Sequence, residues 1–91
     1  MVVMVYLVIV YDIEVERVNK VCKFLRRYLN WIQNSVFEGE VSESKLERVK
    51  TGLKEIINKN TDSILLFIFQ NPKNVTKQII GIEKSPVTNI L

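Results

Sequence analysis

The chain has 91 residues, of which 47% are hydrophobic and 25% are charged, and it contains no histidine and one cysteine, Cys22. This composition is typical of a single globular domain and excludes a wholly disordered chain. Without histidine, Ser-His-Asp triads and Cys-His dyads are excluded, and one cysteine closes no internal disulfide and builds no structural zinc site. The formal net charge is only +3, so positive charge matters for function only where it is clustered.

The chain begins with eleven apolar or aromatic residues, Met1–Tyr11, five of which are valine. Such a run predicts a central β-strand that is buried on both faces, with Asp12 at its carboxyl end. It is shorter than the roughly 18 residues of a membrane span, and it lacks the basic start and cleavage site of a signal peptide. We therefore expect a cytoplasmic protein that does not contact membranes.

Residues 14–29 have the periodicity of an amphipathic helix, with Cys22 on the apolar stripe as a small core residue. Five basic residues and no acidic one lie between positions 17 and 27, opposite that stripe or on its flanks. This arrangement is typical either of a solvated helix face or of a surface that contacts the phosphate backbone of nucleic acid. The five residues are Arg17, Lys20, Lys23, Arg26 and Arg27.

The rest of the chain alternates strand and helix patterns. Trp31–Val41 is predicted to be a strand, and a second helix is predicted to begin with a capping box at Ser44 and to stop at Asn60-Thr61-Asp62. Ser63–Gln70 and Val75–Ile82 are predicted strands, close enough to form a hairpin across the turn at residues 71–74.

With right-handed crossovers, the predicted fold is α+β: a ferredoxin-like βαββαβ sandwich with two helices on one face of a four-stranded antiparallel sheet. Residues 1–82 are predicted to form the domain, and residues 83–91, with Pro86, are predicted to form a tail or an edge strand on the same or a partner sheet. The sheet face without helices is expected to bind a ligand or a second copy of the chain.

Asp12 is the first candidate for chemistry, because a carboxylate directly after a buried strand is held rigidly at a strand end. It could instead cap a helix or form a turn. One carboxylate makes a poor metal site, but two copies of Asp12 across a dimer two-fold axis could share a Mg²⁺ ion with water and phosphate oxygens.

The segment from Gln33 to Glu40 is a second candidate, because polar residues interrupt a strand that would otherwise be apolar. It could be a hydrogen-bonded edge strand in which Phe37 packs against a neighbour. Alternatively, Glu38 could supply another carboxylate to a metal ion.

The strand end Tyr11-Asp12-Ile13, the basic first helix and the block Gln33-Asn34-Ser35-Val36-Phe37-Glu38-Gly39 together resemble CRISPR-associated protein 2, the small partner of the integrase in CRISPR spacer acquisition. The resemblance runs from about residue 3 to the end of the chain. It implies a ferredoxin-like homodimer whose uncovered sheet faces pack together. It also implies that the C-terminal segment, here Ser85–Leu91, adds a strand to the partner's sheet.

By this resemblance, Asp12 is the metal-binding and catalytic aspartate, and it faces its two-fold mate across a cleft with Mg²⁺ as the cofactor. The five cations of the first helix would contact nucleic acid. Phe37 falls on the family's phenylalanine, and Tyr11, Ser35 and Glu38 are expected to support the site. Relatives commonly carry a basic residue where this chain has Trp31, so Trp31 is expected to stack or to pack at the dimer interface instead.

The implied function is a nucleic-acid adaptor that bridges the CRISPR integrase during spacer acquisition. Family members are also assigned Mg²⁺-dependent endonuclease activity on RNA or duplex DNA, so duplex DNA or single-stranded RNA is the expected nucleic-acid partner. We expect binding and bridging to be the main role and phosphodiester hydrolysis to be secondary, because one ion and two carboxylates form a lean site. The alternatives are a stand-alone, toxin-like metal-dependent endoribonuclease and a ferredoxin-like regulatory module that binds no nucleic acid.

Overall fold

The computed structural model describes residues 2–85 and has a four-stranded sheet with two helices. The strands are β1 (Met4–Asp12), β2 (Asn30–Gln33), β3 (Val36–Ser42) and β4 (Ser63–Phe69), and the helices are α1 (Val15–Leu25) and α2 (Glu43–Ile56). All neighbouring strands are antiparallel, in the order β2-β3-β1-β4. This arrangement confirms the predicted ferredoxin-like βαββαβ fold and the central position of β1. The individual segments predicted as strands and helices follow the order βαβαββ, however, and the observed order arises because residues 30–42 contain two strands and residues 75–82 contain none.

Side chains of β1 alternate between the two faces of the sheet, as the pleat of a strand requires. The odd-numbered residues Val5, Leu7, Ile9 and Tyr11 are buried beneath the helices. The even-numbered residues are only half-buried or exposed, so the predicted burial on both faces is wrong.

The side without helices is called here the open sheet face, and the segment after β4 covers part of it near β3, where Lys77 reaches Glu38. Together with β1, strand β4 contributes exposed apolar residues to it, because β4 pairs directly with β1. It comprises Tyr6, Val8, Val10, Leu65, Phe67 and Phe69, with Asp12 at one end.

The two helices close the core on the other face. α1 contributes Val21 and Leu25 to it, and α2 contributes Leu46, Val49 and Leu53. These positions recur at helical spacing, which is why each helix buries one stripe and exposes the other.

Two predictions for the middle of the chain were wrong, the single strand over residues 31–41 and the first residue of the second helix. The single strand predicted over residues 31–41 is the hairpin of β2 and β3, which turns at Asn34 and Ser35. Asn34 adopts a φ of 43°, a left-handed conformation that asparagine tolerates better than most residues. Helix α2 is capped by Ser42 rather than Ser44, because the Ser42 hydroxyl accepts the Lys45 amide hydrogen bond at 3.2 Å.

The predicted strand at residues 75–82 is also wrong. A short 3-10 helix at Pro72–Asn74 follows β4, and residues 75–85 form neither strand nor helix. The segment does not fold back along the free edge of β4, because Lys77 reaches Glu38 of β3, two strands away.

Residues 86–91 lie outside the described part of the chain, and with them most of the predicted tail and of the partner-sheet strand at Ser85–Leu91. The domain boundary at residue 82 stays a prediction. Within residues 2–85, no helix is long and apolar enough to cross a membrane.

Candidate metal and nucleic-acid site

Asp12 is the last residue of β1 and is exposed at the end of the open sheet face, directly opposite Ser63 of β4. It does not cap α1, because the N-cap residue of that helix is Glu14. Among residues 2–85, no side chain or amide hydrogen-bonds or ion-pairs with the Asp12 carboxylate. The carboxylate is therefore available to a ligand outside the protomer.

A carboxylate is the hard oxygen donor that Mg²⁺ prefers, so the chemistry of Asp12 fits that ion. A protomer supplies only one such group, however: the described residues contain no cluster of three or more acidic or cysteine side chains that could hold a metal. The donor set thus becomes adequate only if a second Asp12 comes close.

Within one protomer, Glu38 does not lie beside Asp12, so its predicted supporting role stays a prediction. It lies opposite Val8, four residues before Asp12 along β1, which corresponds to about 13 Å at the rise of a strand. Its carboxylate is instead paired with Lys77 Nζ at 2.5 Å, and the Glu38 side chain is largely buried. Sequence reasoning missed Lys77 because 39 positions separate it from Glu38.

The other predicted supporting residues have partners within the protomer, and their role at the site stays a prediction. Tyr11 points into the core, where its hydroxyl lies 3.1 Å from Cys22 Sγ, and burial raises the pKa of this phenol to about 12. Phe37 is fully buried, with its ring 6.0 Å from the ring of Tyr11. The Ser35 carbonyl accepts the Tyr11 amide hydrogen bond at 3.1 Å. The expectation that Phe37 packs against a neighbour is confirmed.

Trp31 also has an internal partner. Its indole N–H donates to the carbonyl of Asn34 at 3.0 Å, across the β2–β3 turn. The half-buried ring packs against the core and borders a cavity of about 590 Å³ that Arg26 and Lys77 also line.

Four of the five predicted cations are exposed on the helix layer, namely Lys20, Lys23, Arg26 and Arg27. Lys20 and Lys23 lie on α1, whereas Arg26 and Arg27 follow its last residue. The Arg27 guanidinium lies 6.0 Å from the ring of Phe24 and 5.7 Å from that of Tyr28. Because the sheet separates this layer from the open sheet face, one protomer does not bring these cations together with Asp12.

The fifth cation, Arg17, is engaged within the protein. Its Nε donates to Asp62 Oδ2 at 2.6 Å and its Nη2 donates to Asp62 Oδ1 at 3.0 Å. These bonds, with backbone N–H groups of Glu14 and Asn58, hold the pKa of the Asp62 carboxyl well below its usual range. From the sequence, Asp62 was assigned only to the end of a helix. Its pair with Arg17 could not be predicted, because the two residues are 45 positions apart and no local pattern links them.

Comparison with known proteins identifies the family. The model of the family described as CRISPR associated protein Cas2 matches residues 4–77. A curated relative from Archaeoglobus fulgidus, named CRISPR-associated endoribonuclease Cas2 2, is 55% identical over 84 residues, which cover 92% of this chain and 91% of the relative. The chain belongs to the Cas2 family. A Cas2 relative from Methanothermobacter thermautotrophicus, named CRISPR-associated endoribonuclease Cas2, is 50% identical over the full length of both chains.

Solved structures agree with this assignment. A crystal structure of a Cas2 protein superposes with a TM-score of 0.81 at 46% identity, covering 97% of this chain and 99% of that one. The crystal structure of Streptococcus pyogenes Cas2 at pH 6.5 has a TM-score of 0.64 at 32% identity, covering 76% and 88%. The resemblance to the Cas2 family inferred from the Tyr11-Asp12-Ile13 and Gln33–Gly39 motifs is thus confirmed.

Proposed function

We propose that this Cas2 protein acts as a homodimer that binds the nucleic-acid backbone and bridges the CRISPR integrase during spacer acquisition. The observation that carries the proposal is the open sheet face. Three of its side chains, Leu65, Phe67 and Phe69, are 53%, 47% and 44% exposed in the single chain. A contiguous apolar surface of this kind on a small domain is typical of a protein interface.

Pairing through this face would determine where Asp12 lies in the dimer. Since Asp12 belongs to the same face, a two-fold axis through the face can place the two Asp12 carboxylates near each other. Together they would hold Mg²⁺, which when bound supplies an activated water and charge neutralisation for phosphate oxygens. The residues themselves contribute ligands and leave the rest of the coordination sphere to water and substrate.

Nucleic-acid binding would use the exposed cations Lys20, Lys23, Arg26 and Arg27. Because they lie on the helix layer, a dimer presents two such patches on its outer surfaces. Contacts of this kind are made to phosphates and are insensitive to base sequence. That property suits a subunit that holds nucleic-acid fragments of arbitrary sequence for an integrase.

A Mg²⁺-dependent endoribonuclease is the second candidate, and the names of the two curated relatives favour it. The chain has no histidine, and no side chain among the described residues hydrogen-bonds or ion-pairs with the Asp12 carboxylate. Hydrolysis would therefore depend on metal-bound water alone. For this reason we place binding and bridging first and cleavage second.

The variant Asp12→Ala separates the two roles when RNA or DNA cleavage with Mg²⁺ and spacer integration with the partner integrase are measured on the same preparation. We expect cleavage to be lost and integration to be largely kept. Glu55→Gln, which removes an exposed carboxylate from α2, is the control for the loss of one negative charge. Loss of integration with intact cleavage would refute the assignment of these roles.

Charge reversal of Lys20, Lys23 and Arg27 tests the nucleic-acid surface and takes the formal net charge from +3 to −3. Reversal of Lys45, Arg48 and Lys54 on α2 changes the charge equally and is the matched control. We expect the α1 variant to weaken duplex binding more than the control does and to flatten its salt dependence. A duplex affinity that the reversal of Lys20, Lys23 and Arg27 leaves unchanged from the wild type would support a regulatory module without a nucleic-acid role.

A further inference from the structure

The Asp62 carboxylate is the most heavily hydrogen-bonded acidic group among the described residues, although its side chain has no solvent exposure. Two of its bonds come from Arg17, and two come from backbone amides, those of Glu14 and Asn58, each at 2.9 Å. Glu14 precedes α1 and Asn58 follows α2, so one side chain joins the ends of both helices to the start of β4.

This cluster lies directly behind Asp12. Asp62 precedes Ser63, which is the residue paired with Asp12 across the sheet. Successive side chains of a strand point to opposite faces, so Asp62 lies on the helix side while Asp12 lies on the open sheet face. Glu14, whose amide Asp62 binds, is only two residues after Asp12. The Asp62 side chain is thus adjacent to Ser63, the strand partner of Asp12, and its hydrogen bond restrains Glu14, two residues after Asp12.

Arg17 has little capacity left for a phosphate. Its Nε and Nη2 bind Asp62, its Nη2 also donates to Thr61 Oγ1 at 3.2 Å, and its Nη1 lies 3.5 Å from a Glu16 carboxylate oxygen. The side chain is 21% exposed. A phosphate could recruit it only by leaving the buried Asp62 without its counter-charge, which is strongly unfavourable. Lys20 and Lys23, in contrast, are exposed on α1.

We propose that Arg17 and Asp62 are a positioning pair for Asp12 and that Arg17, although it lies in the basic cluster of α1, does not bind nucleic acid. The proposal rests on the proposed role of Asp12 as a metal ligand. Arg17 orients the Asp62 carboxylate, the carboxylate fixes the Glu14 amide, and the strand end that carries Asp12 is thereby held in place. Groups that support a metal ligand from behind typically change metal affinity about 10- to 100-fold when they are removed.

The test compares Arg17→Ala with Arg17→Lys, because lysine keeps the charge but loses the planar fork that binds a carboxylate through two bonds. Mn²⁺ binding to the dimer is measured by water-proton relaxation, and duplex affinity is measured as a function of salt concentration. A positioning role predicts that both variants lose about 10-fold or more in Mn²⁺ affinity. It also predicts that both keep the wild-type salt slope. Arg48→Ala, an exposed arginine on α2, is the control and should keep the Mn²⁺ affinity.

A phosphate-binding Arg17 predicts the opposite pattern. Arg17→Ala would then reduce the salt slope by about 0.9 for each phosphate that the arginine neutralises, and Arg17→Lys would resemble the wild type in both measurements. That result would overturn the proposal, as would an unchanged Mn²⁺ affinity in Arg17→Ala when Asp12→Asn abolishes binding.

Failure of the proposed function is recognised separately, because wild type and Asp12→Asn would then bind Mn²⁺ equally. In that event, amide hydrogen exchange at Glu14 tests whether Arg17 and Asp62 hold this part of the chain in place. Faster exchange in Arg17→Lys with an unchanged salt slope supports the pair, and unchanged exchange refutes it.

Discussion

Replacement of Phe67 by alanine is the most direct test of the interface proposed for the open sheet face. Phe67 lies opposite Val8 near the centre of this face and is 47% exposed. A phenylalanine side chain buries roughly 200 Å², so a dimer would cover about 95 Å² that the single chain leaves exposed. At about 25 cal/mol per Å², and allowing for the apolar surface that alanine retains, the loss is about 2 kcal/mol per protomer.

Since a two-fold dimer loses two such side chains, the dissociation free energy should fall by about 4 kcal/mol, or about 1000-fold in Kd. Sedimentation velocity over a dilution series measures this change, and urea unfolding verifies that the variant protomer stays folded. Val15→Ala is the matched control, because Val15 is 82% exposed but lies on α1, away from the open sheet face. A Kd within a few-fold of the wild type for Phe67→Ala would refute dimerisation through this face.

Three further predictions concern the core that supports the site. Phe37→Ala should lower the free energy of unfolding by about 3–5 kcal/mol in urea, because Phe37 is fully buried; a change below about 1 kcal/mol would show that the ring is not a core anchor. In Gly52→Ala, the new Cβ would overlap the ring of Phe24, so the melting temperature should fall, and the double variant Gly52→Ala/Phe24→Leu should recover part of the loss. Burial raises the pKa of Tyr11 to about 12, so its neutral form stabilises the fold fully below pH ~10 and this contribution is lost as the pH rises towards 12. The wild type should therefore lose more stability than Tyr11→Phe between pH 9 and 11; parallel losses would contradict this linkage.

The parts of the fold that were predictable from the sequence are those that a local pattern specifies. The apolar run before Asp12 predicted β1, and helical spacing predicted α1 and α2. The hairpin of β2 and β3 was missed because both strands and the turn between them fit one continuous strand pattern. The available signal was Asn34-Ser35, two residues that favour turns.

For the candidate site, as for the fold, the sequence predicted only those features that a local pattern specifies. Asp12 was proposed from its place after a strand, and four of the five cations of the basic cluster are exposed as expected. Arg17 could not be distinguished from them, because its carboxylate partner, Asp62, lies 45 positions further along the chain. Similarly, Glu38 was predicted as a further carboxylate ligand because polar residues interrupt an apolar strand pattern. Its pair with Lys77 could not be predicted, because 39 positions separate the two residues. Helical periodicity gives the direction of a side chain but not its partner.

The register of β1 explains why two adjacent residues of one motif have different roles. Tyr11 is odd-numbered and joins the core beneath the helices, whereas Asp12 is even-numbered and joins the open sheet face. A shift of one residue would exchange the two faces, burying Asp12 under α1 and exposing Tyr11. The burial of Val5, Leu7 and Ile9 opposes that shift, so the core residues of β1 also determine where its carboxylate lies. In the motif Tyr11-Asp12, the first residue therefore packs in the core and the second is the candidate metal ligand.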